Sequence, residues 1–190
     1  GETWPRPFSA YGIDHAVSGL HFRMVGPWRL VFRSAPGHCA DQINVHLPEH
    51  GVLIAADMMS DLEIPDLHQP PDTYRQSLDA LLPLAHGGAI QTLVPGHGGI
   101  AGGREAVLER FEADLDYLDT IEHAAHDAVL AGRAVESVIE ELRSLDYPGK
   151  RAAEYPTEPI HEQNIRLAYA AATAGREKPR GGTRRPRRKS

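Results

Sequence analysis

The chain has 190 residues, a length that suits one ordinary domain with a sizeable core. Apolar residues make up 41% of the composition and charged residues 24%, which is the globular range. The net charge of −6 is unevenly divided: residues 176–190 carry eight Lys or Arg and one Glu, whereas the rest carries twelve basic and twenty-five acidic residues. This acidic body argues against an extended nucleic-acid surface on the fold itself.

The single cysteine, Cys39, excludes an internal disulfide framework and favours a reducing, cytoplasmic compartment. Its thiol could bind a metal, but a small buried residue is the preferred interpretation. The sequence has no run of 18 apolar residues, so we expect no membrane-spanning helix. Residues 1–5 contain neither an initiating Met nor a signal-peptide pattern, which leaves open a processed end and an incomplete sequence.

The first part of the chain predicts short strands. Residues 1–19 contain several Pro and Gly and predict an irregular approach segment. Two runs of bulky residues, 20–24 and 28–33, predict a β-hairpin. Residues 43–47 alternate apolar and polar side chains and predict a half-buried strand, whereas the continuous apolar run 52–56 predicts a strand covered on both faces.

The second part predicts mainly helices. Residues 60–71 are polar and Pro-rich and predict a loop beside a cleft. Thr73 and Gln76 fit a capping box at the start of a helix that ends at Gly87-Gly88. Further patterns predict a strand over 90–94 and helices over 104–130, 135–145 and 160–174. The basic tail, residues 176–190, is nearly free of apolar residues, which predicts disorder.

Three apolar runs each end in a turn that presents a potential metal ligand: His38 after Pro36-Gly37, Asp57 after Ala56, and His97 after Pro95-Gly96. Imidazole and carboxylate are usual ligands of zinc and related metals, and a carboxylate can bridge two ions. Two adjacent ions would acidify a shared water and supply a hydroxide nucleophile for hydrolysis. We therefore predict a metal site at these three residues; the alternative is that both histidines are turn residues with satisfied hydrogen bonds.

In their order and spacing, the three turns resemble the last three metal motifs of the metallo-β-lactamase-fold hydrolases. The stretch 159–169 is similar to the helical C-terminal part of bacterial members with the glyoxalase II-like pattern. The resemblance implies an α/β fold, an αββα sandwich with a two-zinc site at its edge. It also implies that His38 binds the first ion, that Asp57 bridges, and that His97 binds the second.

The family's further motif, His-x-His-x-Asp-His, is absent from the sequence. The only Asp-His pair, Asp14-His15, has no His-x-His before it and is interpreted as a loop pair. The resemblance therefore implies a sandwich whose N-terminal half is missing, with its C-terminal half over residues 20–131 and a helical extension over residues 132–175. An apolar sheet face would then be uncovered, which predicts a second chain or a homo-oligomer that covers it.

Other polar side chains have both a functional and a structural interpretation. Asp61 is either a partner of a metal ligand or a surface carboxylate, and His68 either contacts substrate or is a solvated loop residue. His161 could reach the site from the C-terminal helix. His123 and His126 have a spacing that binds metal in some helical bundles, but exposed helix residues are the preferred interpretation.

Three functions remain open from the sequence. The first is a metal-dependent hydrolase of an ester, thioester, amide or lactam bond in a small-molecule substrate, with no catalytic residue assigned and with a site that the missing half would complete. The second is a non-catalytic half-domain that pairs with another chain through its open sheet. The third is a nucleic-acid binder that acts through the basic tail. The three ligand turns favour the hydrolase.

Overall fold

The computed structural model describes residues 12, 14–145, 147 and 157–177, and these form one six-stranded sheet and five α-helices. The strands follow one another across the sheet in chain order. They are β1 (Leu20–Val25), β2 (Trp28–Ser34), β3 (Ile43–Leu47), β4 (Val52–Ala56), β5 (Thr92–Pro95) and β6 (Ala101–Gly102). The helices are α1 (Pro71–Asp79), α2 (Leu82–His86), α3 (Arg104–Ala131), α4 (Val135–Leu142) and α5 (Thr157–Glu177).

The strand directions bring three chain segments to one edge of the sheet. All neighbouring strands are antiparallel except β4 and β5, which are parallel. As a result β2, β4 and β5 run in the same direction, and their C-terminal ends lie at the same edge. The three predicted ligand turns follow these three strands, so the topology places all of them at that edge.

One face of the sheet is covered by helices. The strand register aligns Val31, His46, Leu53 and Leu93 in a row across β2 to β5, and each of these side chains is buried. They lie against a core that includes Leu78 of α1, Leu81 just before α2 and Phe111 of α3. The helix α3 packs in turn against α4 and α5.

The opposite face carries a second apolar row that is partly exposed. It consists of Phe32, Val45, Ile54 and Val94, which are aligned across the same four strands. Ile54 is 43% exposed, whereas its neighbour Leu53 is fully buried. The prediction that residues 52–56 are covered on both faces is therefore wrong, because the described helices cover one face only. The expected uncovered apolar face is present.

The predicted single helix from Thr73 to Gly87 is divided into α1 and α2. Pro83 has no N–H with which to continue the α-helical hydrogen bonds, and the chain turns at Ala80 and Leu81 before α2 begins. The predicted capping box is also wrong. The helix begins at Pro71 without a side-chain cap, and Gln76 instead donates to Asp72 Oδ2 at 2.7 Å.

The remaining elements agree with the prediction apart from their ends. The helix α3 ends at Gly132, whose left-handed conformation (φ 69°) forms the cap. Residues 143–145 lie beyond α4, and α5 extends to Glu177, so that Arg176 belongs to a helix and not to the tail. The short strand β6 has no counterpart in the prediction.

Some predictions concern residues outside the described ranges. These are most of the approach segment and the tail from residue 178 onward. The division of the chain at residues 19, 131 and 175 stays a prediction. Among the described residues, no helix has the length and apolar character that crossing a membrane requires.

Candidate metal centre

His38, Asp57 and His97 lie together at the sheet edge. His38 Nε2 is 3.5 Å from Asp57 Oδ2, and His97 Nε2 is 3.4 Å from Asp57 Oδ1. Each histidine therefore faces a different oxygen of one carboxylate. Two ligands of one tetrahedral zinc ion, with bonds of about 2.0–2.1 Å, are separated by about 3.4 Å. The donor types and their spacing thus fit metal binding by these residues, with Asp57 facing both histidines.

A backbone carbonyl fixes the orientation of the His38 ring. The ring Nδ1 lies 3.0 Å from the carbonyl oxygen of Asp66. Because a carbonyl only accepts hydrogen bonds, Nδ1 carries a proton and donates it, and in the neutral ring Nε2 keeps its lone pair. This second contact is the one that metal-binding histidines usually make, and here it leaves Nε2 directed at Asp57.

The turn that carries His38 is held against α1. At Gly37 (φ 151°) a Cβ atom would lie 2.7–2.8 Å from the ring and backbone of Tyr74, so only glycine fits this close approach. Ser77 Oγ donates to the carbonyl of Pro36 at 2.7 Å. The carbonyl of Gly37 accepts from the N–H of His68, 3.2 Å away. The turn is therefore anchored both to the helix and to the following loop.

The loop that carries Asp57 has an unusual backbone. Ala56 (φ 51°) and Met59 (φ 58°) both adopt the left-handed conformation, which disfavours residues with a side chain. The buried carboxylate of Asp114 on α3 accepts from Met59 N–H at 3.0 Å and from the Tyr74 hydroxyl at 2.7 Å. Burial, together with the nearby charge of Asp114, raises the pKa of Tyr74 well above its ordinary value, so its hydroxyl stays a donor. These bonds hold the strained loop in place.

The turn that carries His97 packs closely on the Asp57 loop. A Cβ atom at Gly96 would overlap Asp57 Oδ1, so a side chain here would displace the carboxylate. Asp61 accepts from Gly99 N–H at 2.8 Å and pairs with Arg110 at 2.9 Å. Burial raises the pKa of Asp61, but the Gly99 N–H and Arg110 outweigh it and hold that pKa below its ordinary value. Asp61 therefore stabilises the turn that carries His97.

A second group of potential ligands lies beside the first. Within the described part of the chain, His38, Asp66 and His68 are the group of three whose ligand atoms all lie within 4.8 Å of one another. Asp66 Oδ1 is 3.4 Å from His68 Nε2, and the rings of His38 and His68 meet edge to face at 5.3 Å. Since Nδ1 of His38 donates to the Asp66 backbone, that nitrogen is not a ligand in this arrangement. The side chain of His68 is 54% exposed, in agreement with its interpretation as a loop residue.

Glu63 is a further residue near the centre that the sequence analysis missed. Burial raises the pKa of its carboxyl above the ordinary value, and the nearby carboxylates of Asp66 and Asp57 act in the same direction. The only sequence signal for this proximity is its position in the polar loop that follows Asp57.

The other candidate residues lie elsewhere or are solvent-exposed. His161 does not join the centre: its Nε2 donates to the Leu142 carbonyl at 2.9 Å, and its Nδ1 lies 2.7 Å from the Tyr147 hydroxyl. Cys39 is only half-buried. The predicted exposure of His123 and His126 is confirmed, and Asp14 and His15 lie outside the helices and strands, as expected for a loop pair.

Solved structures share this fold. The sec-alkylsulfatase Pisa1 from a Pseudomonas species superposes with a TM-score of 0.64 and 19% identity, over 82% of this chain and 26% of that one. A metallo-beta-lactamase family protein from Thermus thermophilus superposes with a TM-score of 0.55 and 18% identity, over 84% of this chain and 49% of that one. Neither a protein-family model nor a curated protein sequence matches the chain.

These likenesses confirm the predicted fold class. The described residues form one sheet layer and one helix layer of the metallo-β-lactamase sandwich. The chain spans about a quarter of the alkylsulfatase and about half of the Thermus protein. The similarity of residues 159–169 to the glyoxalase II-like pattern stays a prediction.

Proposed function

We propose that the chain carries the metal centre of a metal-dependent hydrolase. The observation that carries the proposal is the position of Asp57 between two histidines, with one oxygen 3.5 Å from His38 Nε2 and the other 3.4 Å from His97 Nε2. Nitrogen and oxygen ligands at this spacing suit two zinc ions that share the carboxylate. His38 would hold the first ion, His97 the second, and Asp57 both.

Bound zinc would supply Lewis-acid activation of water and of the scissile group. The protein's own contribution is to fix the ligands before an ion arrives. Asp66 keeps the Nε2 lone pair of His38 toward Asp57, and Asp61 holds the turn beside His97. The side chains of Asp57 and His97 remain 39% and 48% exposed, which leaves room for a small-molecule ester, thioester, amide or lactam.

The proposal is tested by the zinc content and zinc affinity of the purified full chain. We expect bound zinc in the unmodified protein, and weaker binding in His38→Gln, Asp57→Asn and His97→Gln. Asp57→Asn should weaken binding most, because it removes a charged ligand from both positions. The exposed His126→Gln is the matched control and should bind like the unmodified protein. A folded protein with less than about a tenth of an equivalent of zinc would contradict the proposal.

A second candidate function is the assembly of this chain with another polypeptide through its open sheet face. The partly exposed row Phe32, Val45, Ile54 and Val94 favours it, because contiguous exposed apolar surface is typical of interaction sites. Size-exclusion chromatography with light scattering tests this function. A folded chain that stays monomeric and captures no partner would count against it.

A further inference from the structure

A fully buried asparagine on α5 binds the loop that orients His38. Asn164 Oδ1 accepts from the Leu67 N–H at 3.1 Å, and its Nδ2 donates to the Pro65 carbonyl. The two contacts lie on either side of Asp66. One side chain thus fixes the backbone before and after the residue whose carbonyl accepts from His38 Nδ1.

Two neighbours hold this asparagine and its loop. The Nδ2 of Asn164 also donates to the Tyr117 hydroxyl of α3 at 2.8 Å, which orients the amide between two helices. The adjacent Gln163, which is exposed, donates from Nε2 to the Leu67 carbonyl. Residues 65–67 are therefore bound to α5 at three backbone groups.

We propose that Asn164 is a positioning residue for His38. By fixing residues 65–67 it holds the Asp66 carbonyl where Nδ1 of His38 must donate to it, and this leaves Nε2 toward Asp57. The expected effect of Asn164 on metal binding rests on the proposed function, whereas its effect on the orientation of the His38 ring does not.

The chemistry of the side chain explains why an amide is suited to this place. A primary amide offers an acceptor and two donors at once, and all three are used by Leu67, Pro65 and Tyr117. Alanine would leave the buried Leu67 N–H and Pro65 carbonyl without these partners. The loop would then rearrange to find others, and the Asp66 carbonyl would move with it.

The experiment compares Asn164→Ala with two other variants of α5. Gln163→Ala removes one contact to the same loop from an exposed position and serves if Asn164→Ala does not fold. Tyr169→Phe is the matched control, because it removes a hydrogen bond of 2.6 Å from α5 to the Arg133 carbonyl, away from the loop. The first readout is the tautomer of His38 in zinc-free protein, from long-range ¹H–¹⁵N correlation of the ring. The second is zinc affinity by chelator competition.

We expect the Nδ1–H tautomer of His38 in the unmodified protein and in Tyr169→Phe, and its loss in Asn164→Ala and, to a lesser degree, in Gln163→Ala. Zinc affinity should fall about 10–100-fold in Asn164→Ala, the usual effect of losing a partner of a metal ligand. Folded loop variants that keep both the tautomer and the affinity would overturn the inference. If the unmodified protein binds no zinc, the proposed function is refuted. The role of Asn164 would still be tested, because the tautomer of His38 is measured without zinc.

Discussion

At the scale of single residues, the centre depends on backbone approaches that admit no side chain. Gly96 is the case next to a predicted ligand, because a methyl group there would overlap Asp57 Oδ1. We expect Gly96→Ala to displace the carboxylate, to weaken zinc binding at least tenfold and to cost about 1–3 kcal/mol of unfolding free energy. Chelator competition and urea denaturation measure the two effects. Gly102→Ala, where nothing lies within 4 Å of the new methyl group, should change neither; equal behaviour of the two variants would contradict the argument.

At Ala56 we expect a change in unfolding free energy of the opposite sign. The left-handed conformation of this residue costs roughly 1–2 kcal/mol for a residue with a Cβ atom, whereas glycine adopts it freely. The greater freedom of glycine in the unfolded chain offsets roughly 0.4–1 kcal/mol of the gain. We therefore expect Ala56→Gly to stabilise the protein slightly, by about 0.5 kcal/mol, in urea denaturation. The buried neighbour Ala55 has no such strain, so Ala55→Gly should destabilise; a clear loss in both variants would refute the explanation.

The sequence predicts the positions of His38, Asp57 and His97 better than it predicts the groups that orient them. His38, Asp57 and His97 each follow a strand at a recognisable turn, so their types and their common sheet edge could be inferred. The Asp66 carbonyl could not, because every residue has such a group and only the folded loop decides which one faces the ring. Asp114 lies 55 residues from Met59, and nothing local indicates that contact.

At the scale of elements, α3 joins the two loops of the centre. Arg110 donates to the carbonyls of Met59 and Gly99, each at 3.3 Å, and pairs with Asp61. Asp114, one turn further along the helix, binds the Met59 N–H. The loops that carry Asp57 and His97 are therefore fixed by one rigid helix, and this relation predicts that loosening α3 contacts affects both ligands together.

Arg110→Gln tests this relation. Without the guanidinium, Asp61 loses its charged partner and the Gly98-Gly99 turn is held by fewer contacts. We expect faster hydrogen exchange at the Gly99 amide and about tenfold weaker zinc binding, the lower end of the effect of losing a supporting contact. Arg104→Gln alters an exposed arginine on the same helix and should leave both unchanged. Unaltered exchange at Gly99 in Arg110→Gln would show that the helix does not hold this turn.

Element type could be predicted from periodicity, but element limits depended on local chemistry. The long apolar stripe of residues 104–130 is unambiguous, and Gly132 marks its end. The break between α1 and α2 follows from Pro83, a signal present in the sequence but outweighed there by the apolar face that continues across it. The strand β6 has two residues and too little pattern to be recognised.

At the scale of the whole molecule, His161 couples stability to pH. Burial lowers the pKa of His161 below its ordinary value of 6.5, although the Leu142 carbonyl opposes this shift. Between the lowered folded pKa and 6.5, the unfolded chain binds more protons than the folded one. The free energy of unfolding therefore falls as the pH drops below 6.5 and levels off below the folded pKa.

The measurement is urea denaturation at several pH values between 7 and 5. Each variant's stability at pH 7 is its own reference, so only the slope matters. His161→Gln should flatten the decline, because glutamine has no proton to gain. His123→Gln, at an exposed position, should keep it. An undiminished decline in His161→Gln would assign the pH dependence to other groups.

The open sheet face leads to the last prediction. The row Phe32, Val45, Ile54 and Val94 lies opposite the buried row of the same strands, and Ile54 is 43% exposed at its centre. The sequence could indicate an uncovered face, because the resemblance covered one half of a sandwich, but not which residues occupy it. That assignment needs the register, since a shift by one residue exchanges the two faces.

If another chain covers this face, a charge at Ile54 should be buried without a partner in the assembly and solvated in the free chain. We therefore expect Ile54→Glu to abolish association in sedimentation velocity while it leaves thermal unfolding of the isolated chain nearly unchanged. Leu130→Glu places the same charge at a 61% exposed leucine on α3, away from the sheet, and should leave association intact. Equal loss of association in both variants would indicate a general effect of net charge and contradict the prediction. Loss of association in Ile54→Glu alone would locate the contact on the apolar row, because a carboxylate there is costly only when a packed partner buries it.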